Sequence, residues 1–91
     1  MTDILMLSAD CAISVRDVVA VLDMDRATVS QDLRQTLSRA ERAGRVVNAA
    51  AKLPKSLIFT GDGRIYISPL MAQTVRKRCD ERHGDIIHQG Q

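Results

Sequence analysis

The side chains able to act as nucleophiles, proton carriers or metal ligands near neutral pH are few in this chain and poorly placed to act together. His83 and His88 both lie near the C-terminal end, with Cys79, Asp80 and Glu81 close by. A metal ion needs donors at defensible ligand spacings, and this run matches none of them. Cys11 and Cys79 belong to no Cys-x-x-Cys pair, and no histidine is placed in the sequence to activate either thiol. Both read as small core or interface groups in a reducing cytosol. Neither a Gly-x-x-x-x-Gly-Lys-Ser/Thr loop nor a Gly-x-Gly-x-x-Gly turn is present, and Gly61-Asp62-Gly63 reads as a hairpin turn rather than a phosphate cradle. The expectation is a protein that is not an enzyme, with no catalytic residue, metal, cofactor or small-molecule substrate.

The cations carry more information. Thirteen Lys and Arg stand against 11 Asp and Glu, for a net charge of +2. That sum hides a partition. Residues 1–25 hold Asp3, Asp10, Asp17, Asp23 and Asp25 against Arg16 alone, a local charge of −4, and the remainder carries +6. Between 33 and 55, Arg34, Arg39, Arg42, Arg45, Lys52 and Lys55 face only Glu41, and Arg76-Lys77-Arg78 form a second basic knot. Such a dipolar molecule suits an acidic polymer or another copy of itself with opposite faces apposed. Reading single strands by base stacking is disfavoured, because aromatic residues make up 2% of the chain and Phe59 and Tyr66 are the only two.

Elements that position these charges follow from hydropathy. Ile4–Leu7 reads as a short buried strand and Ser8-Ala9-Asp10 as a turn. Cys11, Ile13 and Val15 alternate with Ala12, Ser14 and Arg16, the period of a strand with one covered face. Continuing the alternation would bury Asp17, so a bulge or kink is expected near Arg16 and Asp17, leaving Arg16 outward before a Val18–Leu22 strand. Thr28 and Gln31 match a capping box, with Ser30 as a rival cap, for a helix carrying Val29, Leu33, Leu37 and Ala40 on one stripe and ending at Gly44. On it Arg34, Arg39 and Arg42 lie off that stripe or flank it, and a solvated helix face explains them as well as a ligand does. Arg45–Asn48 reads as a strand, followed by a small-residue connection and a Leu53-Pro54 turn. Lys52 and Lys55 flank that turn, reaching outward from a rigid sheet edge. Ser56–Thr60 and Arg64–Ser68 are strands joined by the Gly-Asp-Gly hairpin. Ser68-Pro69 then starts a second helix with Leu70, Met71, Thr74, Val75 and Cys79 along one side.

With 91 residues the chain is one small domain, spanning residues 1–83, with a tail over 84–91 expected to be disordered. A chain of this size buries only roughly 60–65% of its unfolded surface, so an enclosed active-site cleft is disfavoured and association with copies of itself is favoured. The longest apolar runs, Ile4–Leu7 and Val18–Leu22, are too short to cross a bilayer, and Asp3 stands where a signal peptide would want a positive charge. A cytoplasmic protein without membrane contact is expected.

Five stretches taken together resemble the bacterial RemA/RemB extracellular matrix regulator family. They are Ile13-Ser14-Val15-Arg16-Asp17-Val18-Val19, Thr28-Val29-Ser30-Gln31-Asp32, Gly44-Arg45-Val46-Val47-Asn48, Leu53-Pro54-Lys55-Ser56 and Ile65-Tyr66-Ile67-Ser68-Pro69-Leu70. Their order and spacing carry the resemblance, which runs from about Ile4 to Arg78. It implies a LytTR-like α+β domain, with an antiparallel sheet of four to five short strands and two helices, assembling into homo-oligomeric rings. It also implies DNA-binding regulation of biofilm matrix genes through basic residues displayed around the ring. The family's paired arginines before the Ser56–Thr60 strand are here replaced by Lys52 and Leu53, with Lys55 following, and a further contact falls close to Arg16. The residues expected to meet DNA are therefore Arg16, Arg45, Lys52 and Lys55, by backbone contacts with low sequence readout.

Overall fold

A computed structural model of the chain describes residues 4–89, apart from the side chains of 27–29 and 81–89. Its first strand, β1 (Ile4–Ser8), turns through Ala9 and Asp10 into β2 (Cys11–Ser14). The two pair antiparallel, Leu5 opposite Ile13 and Met6 opposite Ala12, so Leu5, Leu7 and Ile13 go inward while Ile4 and Met6 face out. The kink expected at Arg16 and Asp17 is a single 3-10 turn, Val15–Asp17, with Val15 buried and Arg16 exposed.

Strands β3 (Val18–Asp23), β4 (Val46–Asn48), β5 (Ser56–Thr60) and β6 (Ile65–Ser68) make a second sheet in the order β3-β5-β6-β4. The expected α+β class holds, but the single antiparallel sheet becomes two sheets, and β4 joins β6 in parallel. The tight hairpin after β5 places β6 beside it, and the connection 49–55 returns β4 to the far edge. Hairpin signals are local, whereas a parallel edge is set by that longer return.

Strand β5 explains the layering. Ile58 points to one face, where Leu5, Leu7, Ile13, Val15 and Val75 pack; Leu57 points to the other, against Ala40 and Ile65, with Leu33 and Leu37 half-buried around them. Cross-strand partners keep the alternation, Val21 and Tyr66 with Ile58, Leu22 and Ile67 with Leu57. A strand covered on both faces reads as an unbroken apolar run, which is what Leu57-Ile58-Phe59 is.

The helices depart from expectation at their starts. A short helix, α1 (Met24–Val29), capped by Asp23, whose carboxylate accepts from the Asp25 N–H at 3.1 Å, precedes the expected one. Helix α2 (Gln31–Arg42) begins at Ser30, whose hydroxyl accepts from the Leu33 N–H at 3.3 Å, so the rival cap is the one in use and Thr28 lies inside α1. Ser30→Ala is expected to lower stability by about 1 kcal/mol; an unchanged urea midpoint would show that the cap contributes nothing. Gly44, at φ +71, ends the turn as expected, its left-handed backbone letting the Arg45 N–H reach the Ala40 carbonyl at 2.8 Å.

The last helix, α3 (Ala72–Gln89), starts after the expected Ser68-Pro69 position. Ser68 instead accepts from the Leu70 N–H at 3.0 Å, while the Ser56 hydroxyl donates to the Leu70 carbonyl at 2.7 Å. Both serines are fully buried. They satisfy Leu70's backbone groups, which helix bonds would otherwise serve, and leave Met71 exposed although the helical stripe had buried it. Val75 is buried as expected, and Arg76 donates to the Val21 carbonyl at 2.8 Å, tying α3 to edge strand β3. The disordered tail expected at 84–91 falls outside the described residues, apart from the helical backbone to Gln89.

Candidate nucleic-acid interface

Lys55 is the most firmly mounted of the four expected contacts. Its N–H donates to the Ser68 carbonyl at 2.9 Å and its carbonyl accepts from the Met24 N–H at 3.0 Å, while its side chain is exposed. Lys52 is exposed on the preceding bend, which is anchored where Ala50 is buried and its N–H reaches the Asn48 side chain at 2.9 Å. Between these anchors Leu53 is 65% exposed, so the whole bend stands away from the sheet. Lys55 also borders a cleft lined by Asp23, Met24, Asp25, Leu53, Pro54, Met71 and Ala72.

Arg16 and Arg45 lie elsewhere. The Asp17 carbonyl accepts from the Gly61 N–H at 2.9 Å, which sets the 3-10 turn against the tip of the β5–β6 hairpin. Arg45 enters β4 at the same end and donates from Nη1 to the Gly63 carbonyl. The five residues of β5 separate this end from Lys55, a length of about 16 Å at the rise of a strand. Arg16 and Arg45 also flank the tip from opposite edges of the sheet, beside β3 and β4. One copy therefore presents the four cations as a lysine pair at one end and two separated arginines at the other, not as a single patch.

At the hairpin tip the Thr60 hydroxyl donates to Asp62 at 2.6 Å. That bond first, then the Arg64 N–H, holds the Asp62 carboxyl below the usual carboxylate range. Arg64 stands 3.6 Å from the same carboxylate. The pair is exposed on both sides, so it is a weak surface ion pair.

Helix α2 carries a further cationic surface. Gln31, Arg34, Gln35, Ser38, Arg39 and Arg42 line one open surface along the outer side of the helix, with Arg42 donating to Ser38 at 3.4 Å. The signal was present in the spacing 31, 34, 35, 38, 42, which repeats at helical period opposite Leu33, Leu37 and Ala40.

The thiols of Cys11 and Cys79 are both pushed up by burial, with Asp80 adding to the effect at Cys79. They stand as neutral, half-buried groups beside the Ile58 cluster. Among the described residues no group of three His, Cys, Asp or Glu is gathered where it could hold a metal ion, and no helix is long and apolar enough to cross a membrane.

Comparison with known proteins gives one family: the sequence profile of the family described as RemA-like, extracellular matrix regulatory protein A-like, matches residues 4–79. No curated protein matches the chain.

Proposed function

Since the chain belongs to the RemA-like family of extracellular matrix regulatory proteins, we propose that it is a cytoplasmic, RemB-like, DNA-binding transcriptional regulator of matrix and biofilm genes. It works as a homo-oligomeric ring that contacts backbone phosphates through Arg16, Arg45, Lys52 and Lys55. The observation that carries this reading is the mounting of Lys52 and Lys55: exposed cations on a bend whose two ends are fixed by hydrogen bonds and burial. A rigid mount lowers the side-chain ordering that a phosphate contact costs.

The division of cations between two ends of the sheet suits a repeating object. One copy offers too few contacts for strong binding, because affinity follows the number of phosphates neutralised. Copies around a ring would bring one subunit's lysine end and another's arginine end along the same duplex, multiplying contacts without new chemistry. Among the described residues no helix offers a base-reading pattern, so recognition is shape-led, with DNA curved along the ring.

A gel-shift titration across salt, run beside native mass measurement, tests this. The log of affinity is expected to fall linearly with log salt at about −0.9 per phosphate contacted, on a particle of several copies. A flat salt response, or a monomer at binding concentrations, would overturn the assignment.

A second reading, self-assembly without nucleic acid, is favoured by the apolar side chains left outward: Ile4 and Met6 on the β1–β2 face and Val19, 71% exposed, on edge strand β3. It requires the particle to persist at every salt concentration, purified without nucleic acid.

A further inference from the structure

Helix α2 presents an arginine surface that the contacts above do not use. Arg34, Arg39 and Arg42 share one open face with Gln31, Gln35 and Ser38, while Asp32 and Glu41 are not part of its lining. None of the three arginines forms an ion pair among the described residues. The opposite side of the helix is the one that packs, through Leu33, Leu37 and Ala40. The arginines therefore add nothing to the core.

Their positions resist an explanation from the helix alone. Arg39 and Arg42 lie in the last turn, where the helix dipole favours cations. Arg34 is near the start of α2, where that dipole disfavours one. Arg39 and Arg42 are three residues apart, a spacing at which like charges repel across the helix surface. A partner of opposite charge would relieve both costs.

The acidic first part of a second copy does not supply a matching surface. Asp10 sits in the β1–β2 turn, Asp17 at the hairpin-tip end of β3, and Asp23 and Asp25 at its other end. Asp23 also holds a carboxylate oxygen against the start of α1. These carboxylates are spread over the β1–β2 turn and both ends of β3, whereas the arginines share one open surface of α2. From Arg34 to Arg42 the helix rises about 12 Å, a length over which one strand of a duplex, at about 3.4 Å of axis per charge, carries three or more phosphates. Guanidinium forks match phosphate oxygens two at a time, and the neighbouring glutamine amides and serine hydroxyl add neutral donors.

We propose that the outward face of α2 is a second nucleic-acid surface, in which Arg34, Arg39 and Arg42 engage backbone phosphates independently of Lys52 and Lys55. It rests on the functional reading for the class of ligand and for the ring on which the copies are arranged. On a ring it makes each copy a two-sided contact, binding duplex along the Lys52–Lys55 bend and a further stretch along α2.

The full chain is titrated with mixed-sequence duplex DNA across salt, as wild type, as Arg34→Gln/Arg39→Gln/Arg42→Gln, and as Lys52→Ala/Lys55→Ala. Glutamine keeps helix propensity, and circular dichroism checks the fold. The arginine variant is expected to bind about tenfold or more weakly, with the salt slope reduced in magnitude by about 2.7, one step of 0.9 per phosphate. If that variant fails to fold, Arg34→Lys/Arg39→Lys/Arg42→Lys replaces it. It keeps the charge and is expected to lose affinity several-fold with the slope retained, since only the forks are gone. Unchanged affinity and slope in a folded arginine variant overturns this inference while leaving the lysine reading standing if the lysine variant weakens. Poly-glutamate binding as tightly as DNA, and lost with the same arginines, overturns it in favour of an acidic protein partner. A wild type that binds no DNA overturns both readings together.

Discussion

Ile58→Ala is expected to destabilise the domain by about 3–4 kcal/mol, near the middle of the range for removing a buried isoleucine side chain. Ile58 is 0% exposed and lies on strand β5, between β3 and β6. Its side chain is where the β1–β2 hairpin, the sheet and α3 meet, through Leu5, Leu7, Ile13, Val15 and Val75. These contacts join three separately connected pieces of chain, so no single segment can slide in to fill the void. A chain of 91 residues has a total stability of only about 5–14 kcal/mol, so a large share is at stake. Thermal unfolding is expected to fall by roughly 15 °C or more. Val19→Ala, at a side chain 71% exposed, is the control and is expected to stay within about 0.5 kcal/mol. A loss at Ile58 of under about 1 kcal/mol by urea melt would show that the hairpin and α3 do not close on that face. Leu57→Ala should cost a similar amount through the other layer, where Leu57 meets Ala40 and Ile65 beneath α2.

The contrast between Ile58 and Leu57 also marks what local pattern could and could not say. Strand β5 was legible because three apolar residues between Ser56 and Gly61 fit no helix, and the Gly-Asp-Gly turn fixed its partner. The kink at Arg16 and Asp17 was legible because one more step of alternation would have buried a carboxylate. Helix α1 was not, because Met24–Val29 is too short for its period to rise above the strand before it, and its cap, Asp23, is also the last residue of β3. The parallel placement of β4 beside β6 depends on the path of 49–55, which no local signal records. For the site, exposure of Lys52 and Lys55 followed from the Pro54 turn. The distance between them and the arginines depends on strand register, which required the sheet. The role of Arg45 as a clasp on Gly63 was likewise invisible, since the two are 18 positions apart.

That clasp separates the effects expected from the two ends of the interface. Lys52→Ala/Lys55→Ala is expected to weaken DNA binding about tenfold near physiological salt and to reduce the salt slope by about 1.8, two phosphates at 0.9 each. Its unfolding midpoint should not move, because the bend is held by the Asn48 side chain, the buried Ala50 and Lys55 main-chain bonds, all untouched by the substitutions. Arg45→Ala should behave differently. It removes a guanidinium that reaches the Gly63 carbonyl, and with it a hydrogen bond across the hairpin tip. The expected stability loss is about 1 kcal/mol, seen as faster amide exchange at Gly63–Ile65, together with a smaller step in slope. Melts and binding isotherms on the same samples therefore distinguish a residue that only meets phosphate from one that also holds the fold. If the lysine pair lowered the midpoint as much as the affinity, its role would be structural and the phosphate assignment would fail. Unchanged affinity with unchanged slope would remove the bend from the interface and leave α2 and the hairpin tip to carry any DNA contact.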